Sequence, residues 1–110
     1  MTVPLYQAKA ELFRTLGHPV RIRVLELLQD GPLPVRDLLA DTGVEASNLS
    51  QQLGVLRRAG LVTSSRQGPT VLYTLSSPDV AGLLRAARRL LASVIDGQDE
   101  LLAELRSSST

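Results

Sequence analysis

The spacing of glycines most limits what this chain can fold into. In residues 1–60, glycines follow four apolar segments, at Gly17, Gly31, Gly43 and Gly60. A glycine directly after a periodic apolar segment is typical of a helix end, because it adopts backbone conformations that other residues resist. The pattern therefore predicts four short helices joined by tight turns.

The first two predicted helices meet at a sharp boundary. The first has an apolar stripe at helical spacing, formed by Leu5, Ala8, Leu12 and Leu16. His18 then caps the second helix, and Pro19 takes its first position, where the missing N–H costs no hydrogen bond. The predicted buried face of the second helix comprises Val20, Val24, Leu27 and Leu28.

The third and fourth predicted helices differ in the side chains that they expose. The third begins at Pro34 and turns Leu38 and Leu39 inward. The fourth buries Leu49, Leu53 and Leu56, and Ala59-Gly60 ends it. Its exposed sides carry neutral polar residues in place of the usual Glu and Lys, together with one arginine: Ser47, Asn48, Ser50, Gln51 and Arg58.

A β-hairpin and a long helix are predicted to complete a single domain over residues 1–106. Residues 61–65 and 70–75 are rich in strand-forming residues, and the segment between them, residues 66–69, forms the hairpin tip. Ser76 and Asp79 have the spacing of a capping box for a helix from Pro78 to about Leu105. Residues 107–110 are expected to form a frayed tail.

The last helix has more apolar surface than one domain face requires. This width predicts a homodimer through the first and last helices. An alternative is that the extra width covers the protein's own core. The predicted interface residues are Leu5, Leu12, Leu84, Ala87, Leu91, Val94 and Leu101.

Composition excludes several classes of protein. The chain has no Cys, which removes disulfides, thiolate metal sites and cysteine nucleophiles. With one His and no Gly-rich phosphate loop, nothing in the sequence assembles a catalytic pair, so no enzyme is predicted. No apolar run is long enough to span a membrane and no secretory signal is visible, so a cytoplasmic protein is expected.

The near-neutral net charge of +1 hides an asymmetry along the chain. From Ala46 to Ile95 the only carboxylate is Asp79. The same range holds six arginines: Arg57, Arg58, Arg66, Arg85, Arg88 and Arg89. From Asp96 onward the balance reverses, with four carboxylates against Arg106: Asp96, Asp99, Glu100 and Glu104. A basic segment followed by an acidic one favours a polyanionic partner for the basic segment.

The order of helices followed by a hairpin is that of a winged helix-turn-helix, a mainly α fold with the order α-α-α-α-β-β-α. In such a fold the second helix of the turn pair lies in the major groove of DNA. Ser, Asn and Gln match the donors and acceptors on base edges, and arginines contact phosphates. We therefore predict that four residues lie close to the bases: Ser47, Asn48, Ser50 and Gln51. We further predict that four arginines contact phosphates: Arg36, Arg57, Arg58 and Arg66.

Residues 16–75 resemble the ArsR/SmtB family of winged-helix repressors. The resemblance is carried by LGHPVRIRVL, by SNLSQQLGVLRRAGLV and by RQGPTVLYTL. It implies a homodimer that binds a roughly two-fold symmetric operator and represses until an effector releases it. It further implies that Ser47, Ser50 and Gln51 approach bases and that Arg66 and Gln67 lie on the wing. A protein-interaction module without DNA binding is the alternative.

The effector is not predicted by any motif. Some relatives that sense metals bind them through cysteines, which this chain lacks. Others use a site on the last helix, and the matching positions here are Ser77, Asp79, Leu90 and Ser93. Of these four residues, only Asp79 has a side chain that could bind a metal ion. The sequence leaves open whether the effector is a divalent metal, such as nickel or zinc, bound at a site without thiolates. The candidate ligands are His18, Asp79, Asp96, Asp99 and Glu100, for which a helix cap and a solvated acidic face are the alternatives.

Overall fold

The computed structural model describes residues 2–108 and confirms a mainly helical chain with a small antiparallel sheet. Its elements are α1 (Leu5–Leu16), α2 (Pro19–Leu27), a 3-10 turn (Leu28–Asp30), β1 (Leu33–Pro34), α3 (Val35–Thr42), α4 (Ala46–Arg58), β2 (Val62–Gln67), β3 (Thr70–Leu75) and α5 (Pro78–Ser108). Within residues 2–108, no helix combines the length and the apolar composition that crossing a bilayer requires.

The helix boundaries are set by local hydrogen bonds. His18 caps α2 as predicted, since its Nδ1 accepts the Val20 backbone N–H at 3.2 Å. The cap of α5 is Ser77, whose Oγ accepts the Asp79 N–H at 3.1 Å, so the predicted capping role of Ser76 is wrong. Ser76 instead donates its backbone N–H to the Leu61 carbonyl at 3.0 Å, which ties it to the sheet.

The sheet has three strands in the order β1-β3-β2, all antiparallel. The sequence predicted the β2–β3 hairpin but not β1, which pairs Leu33 with Tyr73. β3 has the predicted bounds, whereas β2 starts one residue later than predicted and continues to Gln67, which pairs with Thr70 and leaves only two residues in the turn. The first of these, Gly68, has a φ of +61°, a region that glycine enters without strain.

The hydrophobic core joins all five helices to the sheet. The inner face of α4 contributes Leu49, Leu53 and Leu56, each no more than 2% exposed. Burial of three leucines fixes α4 at one rotation about its axis and so determines which residues face outward. The remaining core residues are Leu16, Val24, Leu25, Leu28, Leu38, Val62, Val80 and Leu84.

Most of α5, from Arg85 onward, lies outside this core. From Arg85 to Ser107, only Ala86 is not exposed, although many of these residues are apolar. The helix is about 46 Å long at the usual rise per residue, more than the domain covers. It continues through Ser108, so residues 107 and 108 of the predicted frayed tail are helical, while residues 109 and 110 lie outside the described residues.

Candidate nucleic-acid interface

A tight turn joins α3 to α4 and presents the start of α4 to solvent. Gly43 ends α3 with a φ of +69°, and its backbone N–H donates to the Leu39 carbonyl at 3.0 Å. Two residues, Val44 and Glu45, separate Gly43 from the first residue of α4. Because its leucine face packs on the core, Ser47, Ser50 and Gln51 are exposed on the opposite side, as the sequence predicted.

Asn48 departs from the prediction that it lies on the exposed sides of α4. The structure places it half-buried, with its Oδ1 accepting a hydrogen bond from Gln52 Nε2 at 3.0 Å. Gln52 itself is buried, and its Oε1 accepts from Arg21 Nη1 at 2.9 Å. Gln52 stands three residues after Leu49 and four before Leu56, so helical spacing alone would have placed it on the inner face.

One carboxylate borders this neutral surface. Glu45 is exposed immediately before α4, and its side chain makes no capping hydrogen bond. A negative charge is favourable at a helix N-terminus, which accounts for its place there. Beyond it, no Asp or Glu occurs between Ala46 and Pro78. The outer side of α4 is therefore neutral at its start and becomes positive toward its end.

The positive end of α4 is formed by Arg57 and Arg58, which occupy its last turn and are exposed. Cations are favourable at a helix C-terminus. Neither arginine has an ion-pair partner within residues 2–108, nor does Arg66. Arg36 on α3 differs, because its Nε lies 3.8 Å from the carboxylate Oδ1 of Asp37.

The hairpin, or wing, holds Arg66 and Gln67 at the end of β2 rather than in the turn. Their backbone positions pair with Val71 and Thr70 respectively. Both side chains are exposed. Because consecutive strand residues point to opposite faces, Arg66 and Gln67 project from opposite sides of the wing.

The candidate metal ligands are not brought together. Within residues 2–108 no three His, Asp or Glu side chains form a group that would hold a metal ion. The Nδ1 of His18 is occupied by its capping bond, and Asp79 lies at the start of α5. Asp96, Asp99 and Glu100 are exposed farther along that helix.

The predicted dimer residues divide into two groups. Leu84 is 9% exposed and packs in the protomer's own core, so its prediction as an interface residue is not supported by its position. Leu12 is half-buried against the same core. The exposed members are Leu5, Ala87, Leu91, Val94 and Leu101.

Comparison with known proteins decides the family. The sequence profile described as "Bacterial regulatory protein, arsR family" matches residues 18–64, which run from the cap of α2 into β2. The HTH-type transcriptional regulator Rv0081 of Mycobacterium tuberculosis is 51% identical over 108 residues, 97% of this chain and 95% of the relative. The chain belongs to the arsR family. The arsR-family members are transcriptional regulators with a helix-turn-helix, and α3 and α4 are that unit here.

A further relative and two solved structures agree in sequence and in fold. The biofilm growth-associated repressor of Xylella fastidiosa is 39% identical over 77 residues, 70% of this chain and 68% of the relative. The crystal structure of Rv0081 aligns with a TM-score of 0.82 at 53% identity, covering 88% of this chain and 98% of that one. The homodimeric winged helix-turn-helix domain of Mb0332 from Mycobacterium bovis aligns with a TM-score of 0.76 at 26% identity, covering 84% and 86%. The winged-helix prediction is confirmed.

Proposed function

We propose that this arsR-family regulator is a homodimeric repressor that binds an operator duplex of approximate two-fold symmetry. The observation that carries the proposal is the outer side of α4, where exposed Ser47, Ser50 and Gln51 precede Arg57 and Arg58. Neutral donors and acceptors suit the floor of the major groove, and the guanidinium groups suit the phosphates that border it. The two kinds of side chain follow one another along a single helix.

The wing adds a second positive contact in this proposal. Arg66 lies eight residues after the end of α4, in a β-strand whose other exposed residues are uncharged. It would contact a phosphate next to the groove that α4 enters. Arg36 would contribute less than Arg66, because Asp37 already lies against its guanidinium.

Dimer formation is proposed through α1 and the exposed part of α5. Leu5 is 69% exposed and Leu91 is 60% exposed, and monomeric proteins rarely leave several large apolar residues uncovered on two helices. The relative Mb0332 is a homodimer, which supports the same assembly here. Two copies would place two α4 helices about one duplex turn apart, roughly 34 Å.

The proposed site of action is the cytoplasm, where a bacterial operator lies. Repression is proposed to end when an effector binds. A divalent metal is one candidate effector, and a thermal-shift screen over Ni²⁺, Zn²⁺, Co²⁺ and Mn²⁺, each with and without chelator, tests it. A chelator-reversible shift for one metal supports a metal effector, and a flat response contradicts it.

The DNA-binding proposal is tested by fluorescence anisotropy with the purified full-length protein. One labelled duplex carries the region upstream of its own gene, and a matched duplex carries the same bases in shuffled order. We expect tighter binding to the first duplex and weaker binding to both as KCl rises. Absence of binding to either duplex at low salt contradicts the proposal. A reporter whose expression rises with the protein contradicts repression.

A further inference from the structure

Three hydrogen bonds connect α1 to the start of α4 by way of Arg21, which donates one bond toward α1 and another toward α4. Arg21 on α2 donates from Nε to the Thr15 carbonyl of α1 at 2.6 Å and from Nη1 to Gln52 Oε1 at 2.9 Å. Gln52 Nε2 then donates to Asn48 Oδ1 at 3.0 Å. Gln52 is 6% exposed, while Arg21 and Asn48 are half-buried. The bonds therefore link the interior of the domain to the start of α4.

The direction of these bonds is fixed by Arg21. A guanidinium group has only donors, so the group that faces it must accept. Gln52 therefore turns its Oε1 to Arg21, and its Nε2 is left facing Asn48. That amide nitrogen only donates, so Asn48 must turn its Oδ1 inward. Each amide has one possible orientation once Arg21 is in place.

The outward atom of Asn48 is consequently its Nδ2, which carries two donors. Within residues 2–108, Nδ2 has no protein partner, and no buried side-chain nitrogen or oxygen is left without one. It follows that Nδ2 is accessible to solvent. Asn48 is the third residue of α4, in the first turn beside Ser47 and Gln51. Residues near this end of a recognition helix reach base edges.

We propose that Arg21 and Gln52 orient Asn48 as a donor toward the operator, and that Asn48 thereby selects guanine at one position of each half-site. Guanine presents two acceptors, N7 and O6, in the major groove. The usual contact of asparagine with adenine needs its oxygen to accept from N6, and here that oxygen faces Gln52. The inference rests on the proposed DNA-binding function. Arg21 and Gln52 act as positioning residues, since neither reaches the groove.

The inference is tested by reversing the amide. In a Gln52→Glu variant, one oxygen of the introduced carboxylate accepts a hydrogen bond from Arg21. The other oxygen faces Asn48, and it too can only accept a hydrogen bond. Asn48 must then turn Nδ2 inward and Oδ1 outward. Full-length wild type and variants are each used to select duplexes from an operator library with randomised half-sites. Asn48→Ala identifies the position that Asn48 reads, because preference is lost only there.

We expect wild type to prefer guanine at that position by about tenfold over other bases, the size of one good base contact. Gln52→Glu is expected to move the preference to adenine or cytosine, which offer a donor. The matched control is Gln52→Glu combined with Asn48→Ala, which should show no preference there. In Gln52→Leu, which cannot orient the amide, the preference should broaden without reversing.

Several results would overturn the inference. These are an unchanged base preference in folded Gln52→Glu, an unchanged preference in Asn48→Ala, or a wild-type preference for a base other than guanine at the position that Asn48 reads. The last two need only wild type and Asn48→Ala, so they decide the matter even if Gln52→Glu does not fold. Wild type that binds no duplex overturns the proposed function itself, which separates the two failures.

Discussion

The guanidinium of Arg58 lies against the bare backbone of Gly54. Arg58 Nη1 is 3.1 Å from the point that a Cβ on Gly54 would occupy. The lack of a side chain at residue 54 thus allows the arginine to fold back along its own helix. Glycine in a helix interior costs about 1 kcal/mol relative to alanine, so this arrangement lowers the stability of α4.

Gly54→Ala is therefore expected to raise the free energy of unfolding by up to about 1 kcal/mol, as measured by urea denaturation. The neighbouring atom is the far end of a flexible side chain, which can swing away. The matched control is the same substitution in an Arg58→Ala background. There the new Cβ at residue 54 meets no guanidinium, so the full increase in the free energy of unfolding should appear. A loss of stability in both backgrounds would show that residue 54 is crowded by something other than Arg58.

Arg66→Ala is expected to weaken binding to all duplexes by a similar factor and to reduce the salt dependence of binding. Each phosphate contact contributes about 0.9 to the slope of log affinity against log salt, so a dimer that loses two contacts should lose roughly two units. Anisotropy titrations at several KCl concentrations measure this slope.

The matched control for Arg66 is Arg23→Ala, which also removes one positive charge per chain. The hydrogen bond from Arg23 to Asp41 at 3.0 Å, together with the charge of that carboxylate, raises the pKa of Arg23 above its usual value. Arg23 therefore stays charged and paired within the domain. Equal changes of slope in the Arg66 and Arg23 variants would argue against a specific wing contact.

Gln51→Ala is expected to reduce discrimination between operator and shuffled duplexes while leaving the salt slope unchanged. A side chain that contacts a base edge contributes about 1–3 kcal/mol to the choice between bases. Competition titrations with both duplexes measure the difference. Gln29→Ala, an exposed glutamine on the 3-10 turn, is the control and should leave discrimination intact. If Gln51→Ala lowered the affinity for both duplexes equally, Gln51 would be a phosphate contact.

Much of the fold followed from local signals in the sequence. Gly17 and Gly43 marked helix ends, and His18 with Pro19 marked the start of α2, because each acts on its own neighbouring backbone. The strand β1 had no such signal, because it contains only Leu33 and Pro34 and proline lacks the N–H that a strand usually donates. Its existence depends on β3, nearly 40 residues away.

Part of the candidate site could likewise be predicted from the sequence, and part of it could not. Helical spacing identified the outer side of α4, and three of its four predicted base-proximal residues are exposed. The bond between Arg21 and Gln52 joins residues 31 apart and leaves no periodic trace in the sequence. Periodicity likewise could not separate Leu84, which the protomer covers itself, from Leu91, which it leaves exposed.

Val94→Asp is expected to separate the dimer into monomers and to weaken operator binding sharply. Val94 is 47% exposed on the apolar side of α5, and a charge buried at an interface without a partner is strongly unfavourable. Sedimentation velocity measures the mass. Ser93→Asp adds the same charge about a quarter turn away from this stripe and is the control. A Val94→Asp protein that remained dimeric would place the interface elsewhere.

The proposed function requires two copies of the α4 surface to bind adjacent major grooves of one duplex. This arrangement is tested by sedimentation of the full-length protein, at low salt and dilute concentration, with and without a duplex of its upstream region. We expect a dimer in the absence of DNA and two chains on each duplex in its presence. A monomer that leaves both the upstream and the shuffled duplex unbound would contradict it.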